Sequence, residues 1–162
     1  MNKETHIIHD TELVHIDEIT AERIGDVTES LLAGFFDLER NDNCHYDLSS
    51  DEYPYVQAKS TGWRVRNGYQ NEKQAYTIGR FRLYESDHEW LCENDGHYAF
   101  LVYERHPDGI IPLWSKLTTA NIVEQQYLSE NPWYAGSTPR KATGNDYRVK
   151  WTTLFGDIGV EP

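Results

Sequence analysis

Tyr46-Asp47-Leu48, a turn over residues 50–54, and Tyr55-Val56-Gln57-Ala58-Lys59-Ser60 form the stretch on which the fold reading turns. Both runs are short, rich in aromatic and β-branched residues, and bounded by Asn, Asp, Ser or Pro, so they read as neighbouring strands of a meander. Side chains alternate along a strand, which puts Tyr55, Gln57 and Lys59 on one face and Val56, Ala58 and Ser60 on the other. If the two strands pair as a hairpin about Asp51-Glu52, Asp47 falls near Gln57 and Lys59. A carboxylate, an amide oxygen and an ammonium group then surround one point.

Upstream, Thr20 can cap a helix, Ile24, Val27, Leu31 and Leu32 recur at helical intervals, and Gly34 supplies a stop. Strands are expected at 35–40, 44–50 and 55–61. Downstream, the apolar run 98–104 reads as a central buried strand, turned by Pro107, Asp108 and Gly109 into a further strand over 110–114. A second helix is expected from Thr118 or Thr119 through Ile122 and Val123 to Leu128. The remainder, with Trp133, Tyr134, Trp151 and Phe155, reads as a closing flap or edge, and residues 7–8 and 13–16 as short extended pieces. This order predicts an α/β fold, a mixed central β-sheet flanked by helices. It forms one domain over 1–162, with a core at about 20–114 and a C-terminal helix and flap at about 115–162.

The chain has 162 residues, 38% hydrophobic and 13% aromatic, enough to bury one core and unlike a disordered chain. No apolar run approaches the roughly 18 to 20 residues of a membrane-spanning helix, and the first residues lack the pattern of a signal peptide, so a soluble, cytoplasmic protein is expected without a membrane partner. Cys44 and Cys92 are too few for a disulfide framework and form no CxxC pair, which argues against structural zinc. His6, His9 and His15 have no spacing that defines a metal site and read as surface residues. His88 and His97 read as packing or hydrogen-bonding residues.

The net charge of −12 disfavours nucleic acid, yet residues 59–82 carry a net +5. A positive segment in a strongly negative chain suits a phosphate-binding surface, with Arg64, Arg66, Lys73, Arg80 and Arg82 as candidate DNA contacts. A solvated hairpin is the plain alternative. Trp63 reads as a core aromatic or, beside Arg64, as a platform for an unpaired base.

Magnesium favours oxygen ligands and keeps several waters. Asp47, the Gln57 amide oxygen and the Ala58 backbone carbonyl therefore make a partial shell that a phosphate oxygen would complete. Lys59 would position the attacking water or stabilise developing charge. The plain alternative makes Asp47 a turn residue, Gln57 an exposed polar position and Lys59 a solvated edge lysine.

The order helix, Gly34, strand, strand with Asp47, strand with Gln57-Ala58-Lys59 resembles the restriction endonuclease-like core of the PD-(D/E)xK nuclease superfamily. The form is the one in which Gln replaces the acid of the ExK motif, as in nucleases related to archaeal Holliday junction resolvases and to a group of intron-encoded endonucleases. Gly79-Arg80-Phe81-Arg82, His88 and Gly96-His97-Tyr98 resemble small haloarchaeal proteins of this fold, which would account for the acidic surplus as a halophilic trait. The resemblance covers roughly residues 20–114. It implies a Mg2+- or Mn2+-dependent DNA endonuclease, resolvase-like in its substrate and a homodimer by analogy. It also implies a metal site completed by Glu29, within Ile24-Gly25-Asp26-Val27-Thr28-Glu29, with Glu22 as the alternative. Tyr46 in place of Pro and the uncharged Gln57 depart from the family pattern. Two other functions compete: a catalytically inactive DNA-binding module of the same fold, and an acidic protein-interaction domain that mimics DNA charge.

Overall fold

The computed structural model describes residues 4–41, 43–66, 76–128 and 146–156. Two short strands, β1 (Thr5–Ile8) and β2 (Val14–His15), lead to helix α1 (Ala21–Phe35). The Thr20 hydroxyl accepts the Arg23 N–H at 3.1 Å, satisfying one of the helix's free amides, and Ile24, Thr28 and Leu32 form its buried stripe. Then come β3 (Glu39–Arg40), β4 (Leu48–Ser49), β5 (Val56–Gly62), β6 (Arg64–Arg66), β7 (Tyr76–Ile78) and β8 (Arg80–Tyr84). Helix α2 (Glu85–Glu93) precedes the long strands β9 (His97–His106) and β10 (Gly109–Thr119). The chain continues through α3 (Ala120–Val123), a π-helical turn over Glu124–Leu128, β11 (Asp146–Lys150) and α4 (Trp151–Phe155).

Among the described residues the main sheet has seven strands, in the order β1-β10-β9-β5-β4-β3 with β2 also on β10. It is mixed. β5 and β9 run parallel, with Gln57 opposite Tyr98 and Lys59 opposite Phe100, and the described neighbouring pairs are antiparallel. A parallel pair needs a crossover, and the segment from β6 to α2 supplies it. The fold is the expected α/β arrangement of a mixed sheet flanked by helices.

Alternation along β9 divides the core. Ala99 and Leu101 face α1 and pack with Leu32, Leu48, Val56 and Leu117, whereas Tyr98, Phe100 and Val102 join Phe81, Leu83, Leu91, Trp151 and Phe155 on the other side. β8 and β11 pair beside that second core. Gly79 is required where β8 begins, because a Cβ there would overlap the Gly62 carbonyl at the end of β5.

Several expectations change. Phe35 closes α1, and the strands expected at 35–40 and 44–50 reduce to two residues each, since much of the intervening chain is held by side chains. The second strand of the hairpin that turns at 107–109, expected over 110–114, runs on to Thr119 through an irregularity between Pro112 and Trp114. Helix α2 lies where no helix was expected. The C-terminal flap is core: Trp151, Leu154 and Phe155 are buried. Trp133 and Tyr134 lie outside the described residues.

Candidate active site

Strand β5 carries the site. Alternation turns Gln57 and Lys59 toward α2 and β8, while Ala58 and Ser60 face α1, where the Ser60 and Thr28 hydroxyls lie 2.9 Å apart. β4 pairs with β5 only through Leu48 and Val56. Beyond that pair, the Asp47 N–H donates to the Val56 carbonyl at 2.9 Å, and Asp47 Oδ2 accepts the Ala58 N–H at 3.0 Å. Asp47 thus takes the place of a missing strand residue and sits at the amide between Gln57 and Lys59. The N–H and C=O of one strand residue point to the same edge, so the Ala58 carbonyl faces this edge too.

Gln57 is 6% exposed. Its Nε2 donates to the His45 carbonyl and to Asp87 Oδ2, each at 3.3 Å, which fixes the amide with Oε1 on the opposite side. That oxygen is buried and has no hydrogen-bond partner among the described residues. A buried acceptor left so costs about 1 to 3 kcal/mol, the kind of debt a bound cation or water removes.

Lys59 is half-buried, its ammonium 4.9 Å from the centre of the Tyr84 ring. Burial lowers its pKa from 10.5. Asp47 and Asp87 oppose that shift, and Arg82 adds to it. Its position opposite Phe100 explains the desolvation.

Glu29 lies on the other face of β5, in a cleft of about 220 Å3 that it shares with Gly25, Thr28, Ala58, Lys59 and Ser60. Its Oε2 is 3.3 Å from Arg40, which also bridges to Asp26 at 2.9 Å. Glu29 therefore borders the Ala58 edge with its charge countered by Arg40. Glu22 is exposed on α1.

Asp87, the carboxylate that the sequence reading missed, arrives on α2. Besides Gln57 it binds His45 Nδ1 at 3.1 Å, and the His45 ring stacks on Trp90 at 4.9 Å. Tyr46 and Tyr55 add ring contacts to Trp90 at 5.8 and 5.0 Å. This cluster ties the segment preceding Asp47 to α2. The sequence of α2 hides it, because its buried residues are only His88 and Leu91. The acidic first turn, Glu85 and Asp87, was the available signal.

Behind the site, His88 Nδ1 meets the Tyr98 hydroxyl at 2.8 Å and Nε2 meets Glu124 at 2.9 Å. Burial lowers the His88 pKa, against the pull of Glu124. Cys92 contacts the same Nε2 at 3.4 Å, and burial pushes its thiol up to about 11, so it is no thiolate nucleophile.

The basic candidates separate. Arg80 is exposed on β8, whereas Arg82 forms a hydrogen-bonded ion pair with the buried Asp146. Arg64 lies over the Trp63 ring at 4.3 Å. Arg66 is on β6, opposite Tyr76. Lys73 lies outside the described residues. Among the described residues no three His, Cys, Asp or Glu side chains gather as a metal-binding group, and no helix is long and apolar enough to cross a membrane.

The family model of the PD-(D/E)XK nuclease superfamily domain matches residues 17–156, and the chain belongs to that superfamily. No curated protein and no solved structure matches it significantly.

Proposed function

We propose that the chain is a divalent-metal-dependent DNA endonuclease whose site consists of Asp47, Gln57, the Ala58 carbonyl and Lys59, with Glu29 at its border. The observation that carries this reading is the Asp47–Ala58 hydrogen bond, which sets a carboxylate between the Gln57 and Lys59 positions at an edge that β4 has vacated. The donor set suits Mg2+ or Mn2+, being all oxygen, and the buried Gln57 Oε1 is an acceptor in want of a partner. Asp47, Gln57 Oε1 and the Ala58 carbonyl would hold the ion. When bound, such an ion polarises a phosphoryl oxygen and acidifies water.

The chain's own groups supply the remainder. Asp47 orients toward the scissile phosphate while its Oδ2 remains fixed by the Ala58 amide. Lys59 directs its ammonium at the charge that accumulates on the phosphate oxygens, in a half-buried setting where that attraction is stronger than in water. Asp87 positions Gln57. Branched, junction-like DNA and a homodimer that presents two such sites are the finer forms of this proposal.

A second reading, an inactive DNA-binding module, is favoured by the neutral Gln57 and by the lack of a cluster of three metal-binding side chains among the described residues. Plasmid nicking with Mg2+ or Mn2+ separates the two. The parent should nick, and Asp47→Ala should abolish nicking while leaving DNA binding intact. A parent that binds DNA and never nicks, in dilute or molar salt, overturns the endonuclease.

A further inference from the structure

Past the C-terminal end of β5 lies a second cleft of about 460 Å3, lined by Trp63, Arg64, Val65, Tyr76, Tyr103 and Arg105 among others. The Arg64 guanidinium lies 4.3 Å from the Trp63 ring centre and 5.2 Å from that of Tyr76, so ring, cation and ring are layered. Tyr76 is 55% exposed and Val65 39%. The backbone that carries the inner ring is anchored, for the Trp63 backbone N–H donates to the Tyr103 carbonyl and the Trp63 carbonyl accepts the Trp151 indole N–H, both at 2.8 Å.

Charge identifies the occupant. Arg64 and Arg105 set two cations against the single carboxylate of Glu104 at the cleft, in a chain of net −12. An anionic partner that also presents flat rings fits both the cations and the exposed aromatics. In a paired duplex the base faces are covered by their neighbours, so an exposed ring platform selects bases that are unpaired.

We infer that this cleft binds an unpaired nucleotide of a DNA strand, its base stacked on Tyr76 and its phosphate held by Arg64. Lys59 and Gly62 are three residues apart on β5, about 10 Å at 3.3 Å per residue. Resting on the nuclease reading only for this last step, the inference places the unpaired nucleotide within a few positions of the cut.

The test is fluorescence anisotropy of the full chain in EDTA, from dilute to molar salt, with a labelled oligothymidylate of about twelve nucleotides and a blunt duplex of equal length. Tyr76→Ala should weaken single-strand binding by about 5- to 150-fold and duplex binding by less than about twofold, while Tyr76→Phe restores the parent affinity. Arg64→Ala should weaken both and lower the salt slope by about one. For Tyr76→Ala, equal losses on both ligands or no loss on either would overturn the cleft, as would a parent that binds no single strand. Because metal is withheld, a protein that fails to nick plasmid yet binds oligothymidylate through Tyr76 refutes the endonuclease and leaves this inference standing.

Discussion

Lys59 on β5 and Lys116 on β10 both lie within the main sheet, and burial lowers the pKa of both. Their surroundings are opposite. Lys116 is 1% exposed, and its ammonium donates to the Leu154 carbonyl at 2.5 Å, pairs with Glu4 at 3.1 Å and reaches the Tyr127 hydroxyl at 3.5 Å. Lys59 faces the Tyr84 ring, feels Asp47 and Asp87 at longer range, and makes no hydrogen bond among the described residues. An ammonium with all its donors occupied joins elements together, here the residue before β1, β10 and α4. One that keeps its donors pays desolvation for no structural return, which is the arrangement expected of a group reserved for substrate.

The largest effect that could break this contrast is on turnover. Lys59→Ala should lower plasmid nicking by about 100- to 1,000-fold with the urea midpoint nearly unchanged. A large fall in stability with turnover intact would reverse the assignment. Lys116→Met should do the converse, costing about 2 to 4 kcal/mol in urea unfolding because Glu4 and the Leu154 carbonyl lose their partner, with nicking per folded molecule retained. Adding Glu4→Gln to that variant should recover part of the loss.

A smaller effect sharpens the picture around Gln57. Asp87→Asn should weaken Mn2+ binding, read by calorimetric titration, by about tenfold, as expected for a group that orients a ligand without being one. Asp87→Ala should weaken it further, since it removes the acceptor as well as the charge. The smallest effect is on pH dependence. The folded-state pKa of Lys59 lies below its unfolded value of 10.5, so between these two values the unfolded chain binds more protons and stability rises with pH. Below the folded-state pKa the penalty is fully present. The stability advantage of Lys59→Met over the parent should therefore shrink as pH climbs toward 10.5, whereas an advantage independent of pH would mean that the Lys59 ammonium is not desolvated.

Local patterns were readable wherever one face of an element meets one core. Thr20 and the stripe of Ile24 and Leu32 marked α1, and the apolar run around Phe100 marked the central strand. The hairpin of β4 and β5, and with it the approach of Asp47 to Ala58, followed from turn chemistry. What stayed hidden depends on distant partners. Asp87 gains its place only because α2 packs His88 against Tyr98, and Arg82 looked solvent-directed until β11 brought Asp146 beside it. Glu29 and Asp26 stand in one helix segment, but the Arg40 that bridges them comes from β3. None of these pairings has a local periodicity.

The ring stack of His45 and Tyr46 on Trp90 has a consequence for how this protein can change. The acid at position 47 is held by its own backbone, its N–H bonding the Val56 carbonyl and its carbonyl accepting the Asn41 N–H, while the rings moor the residues just before it, so drift among those flanking residues can erase their extended-strand signature while the carboxylate keeps its address. Replacing Trp90 by a small aliphatic residue would cast that mooring off without touching the acid, and compensating changes would be sought first at positions 45, 46 and 55.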